Sequence, residues 1–502
     1  MIVIGGGATG LGAALDAVSR DFKVLLLEQD DFCKATSSRS TKLIHGGVRY
    51  LEQAELGLVR SALRERGRLL SNAPHVVTEA EFILPSQSLL QRIYYGMGLK
   101  FYDFLSSRHD RLGSSRFLSN QQVHDKIPNL KIDKFNGGVS YWDAQFDDAR
   151  LGIQLAQTIE KHGGIVVNSV EVSDLLQKQQ LVVGVEAKDC RSGKSYEITA
   201  DVVINATGIF TDTIRSMDDP ASKPLLTHSR GSHLVVDGDF LSGSSAMMIP
   251  KTDDGRVLFA IPWKNRTVIG TTDVPVAKPT LEPVPTPDEI DYMLEHISRY
   301  LNQSPGKDDI LSVFAGLRPL VSAESSNTSD ISRDHHIEIS DSGLITITGG
   351  KWTTFREMGQ DAINHAINQG DLPNVESRSD ELKIHGYKEN PTHEQDLAEW
   401  GSDVERIENF LEESPPELQE TLHPSFPYPR GIVIWCARHE MARGIEDILA
   451  RRTRCLFMDA QATIDCAKDV ADLMADERNY SREWTQEQVK EFTKLAENYL
   501  PD

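Results

Sequence analysis

Ile2-Val3-Ile4-Gly5-Gly6-Gly7-Ala8-Thr9-Gly10 opens the chain, and the reading of this stretch decides the fold. A short apolar run feeds a G-x-G-x-x-G pattern and passes into Leu11, Ala14, Leu15 and Val18 at helical spacing. Gly5 permits the tight turn, Gly7 lets backbone approach a pyrophosphate, and Gly10 lets helix and strand pack closely. Ala8 and Thr9 stand at the helix N-terminus, where unpaired N–H groups face the anion. A second strand, Lys23-Val24-Leu25-Leu26-Leu27, ends in Glu28, near where a carboxylate accepts hydrogen bonds from an adenosine ribose. This is the start of a Rossmann-like α/β domain; it does not by itself separate NAD from FAD.

Working outward, Thr36-Ser37-Ser38-Arg39-Ser40-Thr41-Lys42 packs five hydroxyls and two cations into seven positions, just before His45-Gly46-Gly47. Such a run suits a long ligand. FAD extends a pyrophosphate, a ribityl chain and a tricyclic ring beyond the first βαβ unit and needs further hydrogen-bonding loops; a solvated Ser/Thr loop is the alternative. A buried strand at 200–204 exits into Asn205-Ala206-Thr207-Gly208. A further strand at 344–348 meets Gly349-Gly350-Lys351-Trp352-Thr353-Thr354 and then a helical pattern. The positive end of that helix would stabilise negative charge on a reduced flavin.

The middle of the chain has a different texture. Val257 to Trp263 and Thr267 to Thr272 read as strands joined by a polar turn, predicting an antiparallel sheet. Thr286-Pro287-Asp288-Glu289 is a capping box with proline at the first helical position. These features predict a dinucleotide-binding domain over 1–370, interleaved with a substrate-side β-sheet domain at roughly 75–135 and 228–312. A polar linker at 371–396 and an α-helical cap over 397–502 follow. Residues 89–105 concentrate five aromatics with Arg92 and Lys100, which suits either a helix lying in a membrane surface or an aromatic core helix.

Composition bounds the function. The 502 residues carry 53 Lys and Arg against 75 Asp and Glu, a net charge of −22, which argues against nucleic acid as a partner. With 39% hydrophobic and 25% charged residues the chain reads as a folded, soluble protein. Five cysteines with no C-x-x-C pair read as reduced thiols, and no metal site is expected. No uninterrupted apolar run reaches the length of a spanning helix. Met1 runs straight into the first strand with no targeting segment, and that strand is short, so upstream sequence is expected to be missing.

The motifs quoted above, together with Leu43-Ile44-His45-Gly46-Gly47-Val48-Arg49-Tyr50-Leu51, Gly270-Thr271-Thr272-Asp273, Gly316-Leu317-Arg318-Pro319-Leu320 and Arg451-Arg452-Thr453-Arg454, resemble the FAD-dependent glycerol-3-phosphate dehydrogenases, most closely the mitochondrial type. The resemblance implies oxidation of sn-glycerol 3-phosphate to dihydroxyacetone phosphate with hydride transfer to FAD. It further implies delivery of electrons to a quinone and a peripheral place on the mitochondrial inner membrane; a homodimer is a candidate assembly. No EF-hand pattern follows the cap, so calcium regulation is not expected.

The expected FAD-binding residues are Gly5, Gly7, Ala8, Thr9, Gly10, Glu28, Thr36, Ser37, Ser38, Lys42, His45, Gly46, Gly47, Thr207, Gly208, Gly350 and Thr353. A phosphate ester approaching so acidic a chain needs local cations. Arg49, Arg318 and Lys351, each beside a glycine- or proline-bounded turn, are the candidates. The family's matching positions add Tyr50 and Thr354. His233, in Arg230-Gly231-Ser232-His233, is the expected base for the hydroxyl proton, because imidazole titrates near neutrality; His45 is the runner-up. His233, Arg318 and Lys351 form the expected catalytic set. Two other readings stay open: an amino-acid or sarcosine-type oxidase of the same architecture, and a non-catalytic flavoprotein.

Overall fold

Six strands run in the order His335–Ile339, Ile345–Gly349, Val203–Asn205, Ile2–Ile4, Leu25–Leu27, Ile165–Val167, and all pair in parallel except the first two. The computed structural model describes residues 1–52, 55–106, 112–321, 334–393 and 396–501, with backbone alone at 49 and 52. Strand alternation gives the sheet two apolar faces, as parallel sheets require. Val3, Leu26 and Ile204 pack against helices Ala8–Ser19, Asp148–Lys161 and Phe355–Gln369. Ile2, Ile4, Leu27 and Val203 pack toward an antiparallel meander of Val170–Lys178, Leu181–Asp189 and Ser195–Thr199.

The second sheet is mainly antiparallel. Strand Leu226–Asp237 pairs with Ile310–Val321, Arg266–Gly270 and Val274–Val276. From there the sheet continues through Leu258–Trp263, Ala246–Ile249, Val77–Pro85 and Gly138–Phe146 to Leu43–Ile44. The hairpin expected near 264 is present: Lys264 and Asn265 take φ of 48° and 58°, the left-handed pair that a tight two-residue hairpin turn requires. Helix Pro287–Ser298 begins where the capping box places it, with Thr286 N–H donating to Glu289 Oε2 at 2.9 Å, and buries Ile290, Met293 and Ile297.

The boundaries differ from the expected ranges. The sheet also takes in Leu43–Ile44, Gly138–Phe146 and the whole of Ile310–Val321, so it reaches beyond 75–135 and 228–312. Its edge begins inside the nucleotide loop because Leu43 and Ile44 pair with Gln145 and Ala144. The stretch expected as a linker is fastened down. Ser379 Oγ donates to Asp16 Oδ1 at 2.7 Å, Arg20 Nη1 donates to the Val375 carbonyl at 2.8 Å, and Ile384 is buried in the first domain's core.

The C-terminal helices Val404–Glu412, Gly431–His439, Ala460–Arg478 and Arg482–Ala496 share one core with Val235, Trp263, Val268 and Phe314, so the cap packs on the second sheet. Helix Leu89–Leu105 packs one face as a core helix does, burying Leu99, Tyr102 and Leu105, and leaves Leu90, Tyr94, Met97, Phe101 and Phe104 exposed on the other.

Candidate active site

A cavity of about 700 Å³ lies where the two sheets meet, within the size range of cofactor and small-ligand sites. Gly5, Gly7, Ala8 and Thr9 line one end with Thr207 and Gly208. Gly5 is held at φ +106° with the Ala206 carbonyl 2.7 Å from where a Cβ would stand, which reserves the turn for glycine. Glu28 accepts from Gly6 N–H at 2.7 Å and Asp30 N–H at 2.9 Å. Burial nevertheless pushes its carboxyl up to about 7, against those two amides. Thr36 and Ser37 continue the wall, and Ser37 Oγ accepts from Ala8 N–H at 3.0 Å. His45, Gly47, Gly350 and Thr353 line the far end; Thr353 Oγ1 accepts from His45 N–H at 3.2 Å. An elongated cradle of glycine backbone and hydroxyls, starting at a helix N-terminus, fits a dinucleotide that carries a pyrophosphate and a polyol chain.

Five expected ligands lie behind this wall rather than on it: Gly10, Ser38, Lys42, Gly46 and Thr354 are outside the lining. Gly10 packs on Gly5, whose carbonyl stands 1.9 Å from a Cβ built at Gly10, so its role is the close helix–strand contact. Lys42 is fully buried, donating to Asp148 Oδ2 and to the Ser38 carbonyl at 2.8 Å each. Gly46 N–H donates to Asp143 Oδ1 at 3.2 Å, and Thr354 Oγ1 turns back to the Lys351 carbonyl at 3.3 Å. Arg49 begins the short helix Arg49–Glu52, and its side chain lies outside the described residues.

The remaining candidates converge. Tyr50, His233, Arg318 and Lys351 line the same cavity although up to 301 positions separate them in sequence. Lys351 Nζ stands 4.9 Å from the Tyr50 ring centroid. Contacts that aim Arg318 include Nη2 to Thr271 Oγ1 at 3.1 Å, Nη1 to the Thr272 carbonyl at 3.2 Å, and Nη1 to Asp273 Oδ1 at 3.4 Å. His233 is 2% exposed. Its Nε2 lies 2.9 Å from Thr41 Oγ1, its ring stacks on Phe314 at 4.7 Å and 10°, and Nδ1 has no hydrogen-bond partner among the described residues. Burial, with Lys42 and Arg318 adding to it, pushes the imidazole well below its usual range, so the ring is neutral near pH 7. Gly270 makes room for it: a Cβ there would meet the ring at 2.2 Å.

Sequence reasoning missed several lining residues. Thr271, Thr272 and Asp273 were visible as a motif, but nothing in their spacing indicated that they aim an arginine on another strand. Thr41 stood within the hydroxyl run without a distinguishing feature. Asp143 and an apolar wall of Phe82, Tyr141, Met248 and Phe259 come from ordinary strand residues and carry no local signal.

Residues 1–356 match the family model described as FAD dependent oxidoreductase, and residues 346–485 match the C-terminal domain of alpha-glycerophosphate oxidase. The mitochondrial glycerol-3-phosphate dehydrogenase of Rattus norvegicus is 38% identical over 530 aligned positions that cover 99% of this chain and 72% of that protein. The mitochondrial glycerol-3-phosphate dehydrogenase of Arabidopsis thaliana is 36% identical, covering 99% and 86%. Among solved structures, the glycerol-3-phosphate dehydrogenase of Bacillus halodurans complexed with FAD superposes with a TM-score of 0.81 at 29% identity, covering 99% of this chain and 94% of that one.

Proposed function

The chain belongs to the FAD-dependent glycerol-3-phosphate dehydrogenases, and from that premise we propose that it oxidises sn-glycerol 3-phosphate to dihydroxyacetone phosphate through the residues that meet in this cavity. The observation that carries the reading is the meeting of His233, Arg318 and Lys351 on the cavity that the Gly5–Gly10 loop enters. Bound FAD supplies the acceptor for the hydride, two electrons and a proton from C2 of the substrate. Arg318 and Lys351 bind the ester phosphate, the first with a planar fork and the second as a point charge. They supply locally the positive potential that a chain of net charge −22 lacks overall.

His233 takes the hydroxyl proton. The Thr41 hydroxyl meets Nε2 and holds the ring in place, and a buried neutral ring is a base in the required state throughout the neutral range.

The electrons then pass to a quinone, and the exposed face of helix Leu89–Leu105 is the surface that meets the membrane carrying it. Leu90, Tyr94, Met97, Phe101 and Phe104 place apolar and aromatic groups on one side, the pattern of an interfacial helix. Among the described residues no helix is long and apolar enough to cross a membrane. The mitochondrial inner membrane and a homodimeric assembly complete the proposal.

The deciding experiment is anaerobic titration of the yellow holoenzyme with glycerol 3-phosphate. The bound flavin should bleach, and quinone analogues should restore its colour with little hydrogen peroxide released. His233→Ala should slow flavin reduction at saturating substrate by about 10²- to 10⁴-fold. Retention of a near-native rate refutes the assignment of the base.

A further inference from the structure

The structure assigns Lys42 to the catalytic apparatus as a positioning residue: with Asp148, and with Arg454 from the helical cap, it forms a buried charged support that places Thr41 and Phe314 and keeps the His233 ring oriented and neutral. The inference rests on His233 as the base of the proposed reaction.

Thr41 is held from both sides. Its neighbour Ser40 donates to Asp148 Oδ2 through the backbone N–H at 3.1 Å and the hydroxyl at 2.6 Å. Its other neighbour, Lys42, donates to the same oxygen through Nζ at 2.8 Å. Lys42 N–H also donates to Ser40 Oγ at 3.0 Å. The hydroxyl of Thr41 is therefore fixed where it meets His233 Nε2, 2.9 Å away.

Arg454 closes the support from the cap, donating through Nη2 to Asp148 Oδ1 at 3.1 Å and to the Ser38 carbonyl at 2.7 Å. Lys42 and Arg454 both adopt left-handed backbone, φ +62° and +64°, unusual for non-glycine residues and retained where surrounding contacts over-determine the conformation. Lys42 Nζ lies 5.2 Å from the ring centroids of Phe314 and Phe457, and the Phe314 ring is the one stacked on His233. The lysine thus reaches the imidazole by two routes, hydroxyl and ring stack.

The charged groups acting on the imidazole are Lys42 from the nucleotide loop and Arg318 from strand Ile310–Val321, the latter paired with Asp273. Among the described residues the other neighbours of the ring bring no charge: strand Arg266–Gly270 presents Gly270, and helix Cys455–Met458 presents Phe457 behind Phe314. Burial, reinforced by Arg454 and opposed by Asp148, lowers Lys42 itself to about 7. Its charge is therefore present below pH 7, the range in which an ordinary histidine, with a pKa of about 6.5, would take up a proton and cease to be a base.

The test is the pH dependence of flavin reduction by saturating glycerol 3-phosphate, measured anaerobically on holoenzyme. In the wild type the rate should stay level through about pH 6.5, the usual imidazole value; an acid limb at that value overturns the proposal without recourse to any variant. Lys42→Met should move the acid limb upward by about one pH unit. The paired variant Lys42→Met/Asp148→Asn, which leaves no lone buried carboxylate, should do the same at unchanged FAD content. Thr41→Val should lower the rate at every pH without moving the limb. A purely structural ion pair would leave the variant profiles superimposed on the wild type, which refutes the proposal. If His233→Ala also retains its rate, the base assignment falls as well; if His233→Ala is crippled, only the role of Lys42 falls.

Discussion

Arg318 lies across Gly231 so closely that a Cβ built on that glycine would stand 2.3 Å from the guanidinium Nη2. The arginine pairs in register with Ser229, so its side chain runs along the neighbouring strand toward the cavity, and only a residue without a side chain leaves the path open. Gly231→Ala, at an ordinary strand backbone, should displace the guanidinium without unfolding the sheet. A charge-assisted contact of about 1.5–3 kcal/mol would be lost, lowering kcat/KM on the order of 10- to 100-fold, chiefly through KM. Steady-state assays with an artificial acceptor check this; an unaltered KM counts against Arg318 as the phosphate ligand.

Glu28 makes cofactor affinity depend on pH. Burial raises its carboxyl to about 7, so below that value it is protonated and accepts poorly from a ribose hydroxyl. Ribose binding favours the ionised form, and FAD affinity of the apoprotein should therefore rise with pH through about 7, on the order of tenfold between pH 6 and 8. Quenching of FAD fluorescence on titration with apoprotein measures it; an affinity that is flat, or that falls, rules out this role for Glu28.

Asp31 fastens the cap to the nucleotide loop. It accepts from Arg451 and Arg452, including Arg452 Nη2 at 3.0 Å, with all three side chains buried. Burial pushes the carboxyl up, but Arg452 and Arg451 outweigh it and hold the group at about 2. Its stabilising contribution is therefore complete above about pH 4 and fades as pH falls toward 2. Asp31→Asn leaves buried guanidinium charge uncompensated and should cost about 3–5 kcal/mol, visible as a lowered Tm at pH 7. The difference from wild type should shrink in acid; a gap as wide at pH 3 as at pH 7 contradicts the pairing.

The exposed face of helix Leu89–Leu105 gives a prediction that spares catalysis. Met97 and Phe104 are 68% and 72% exposed, and neither lines the cavity. Met97→Asp/Phe104→Asp should abolish flotation with liposomes while leaving activity with a soluble acceptor within about twofold, because surface substitutions of this kind change stability by only about 0.5 kcal/mol. Flotation at the wild-type level would remove the helix from the membrane contact.

What could be read directly from the chain was local. The Ile2–Gly10 turn, the capping box at Thr286 and the hairpin at Lys264–Asn265 depend on backbone geometry and on side chains a few residues away, and each stands where its residues require. The apolar repeats Ile290, Met293 and Ile297 identified a buried face for the same reason, since helical period alone brings them together.

Contacts between distant segments were decided only by the assembled molecule. Lys42 was indistinguishable from a phosphate ligand within its hydroxyl-rich run. It turns away from the cavity because Asp148, on another helix, offers a buried countercharge that costs less than leaving either group alone. Helix Leu89–Leu105 is apolar on both sides, and which side remains open depends on where Phe82, Tyr141 and Met248 place their surfaces. Thr41 and Thr271, in loops, and Gly231, in a strand, became parts of a site only when the fold set them beside His233 and Arg318. Short-range geometry is written in neighbouring residues; the pairing of charges and the choice of exposed face are settled by surfaces that meet only on folding.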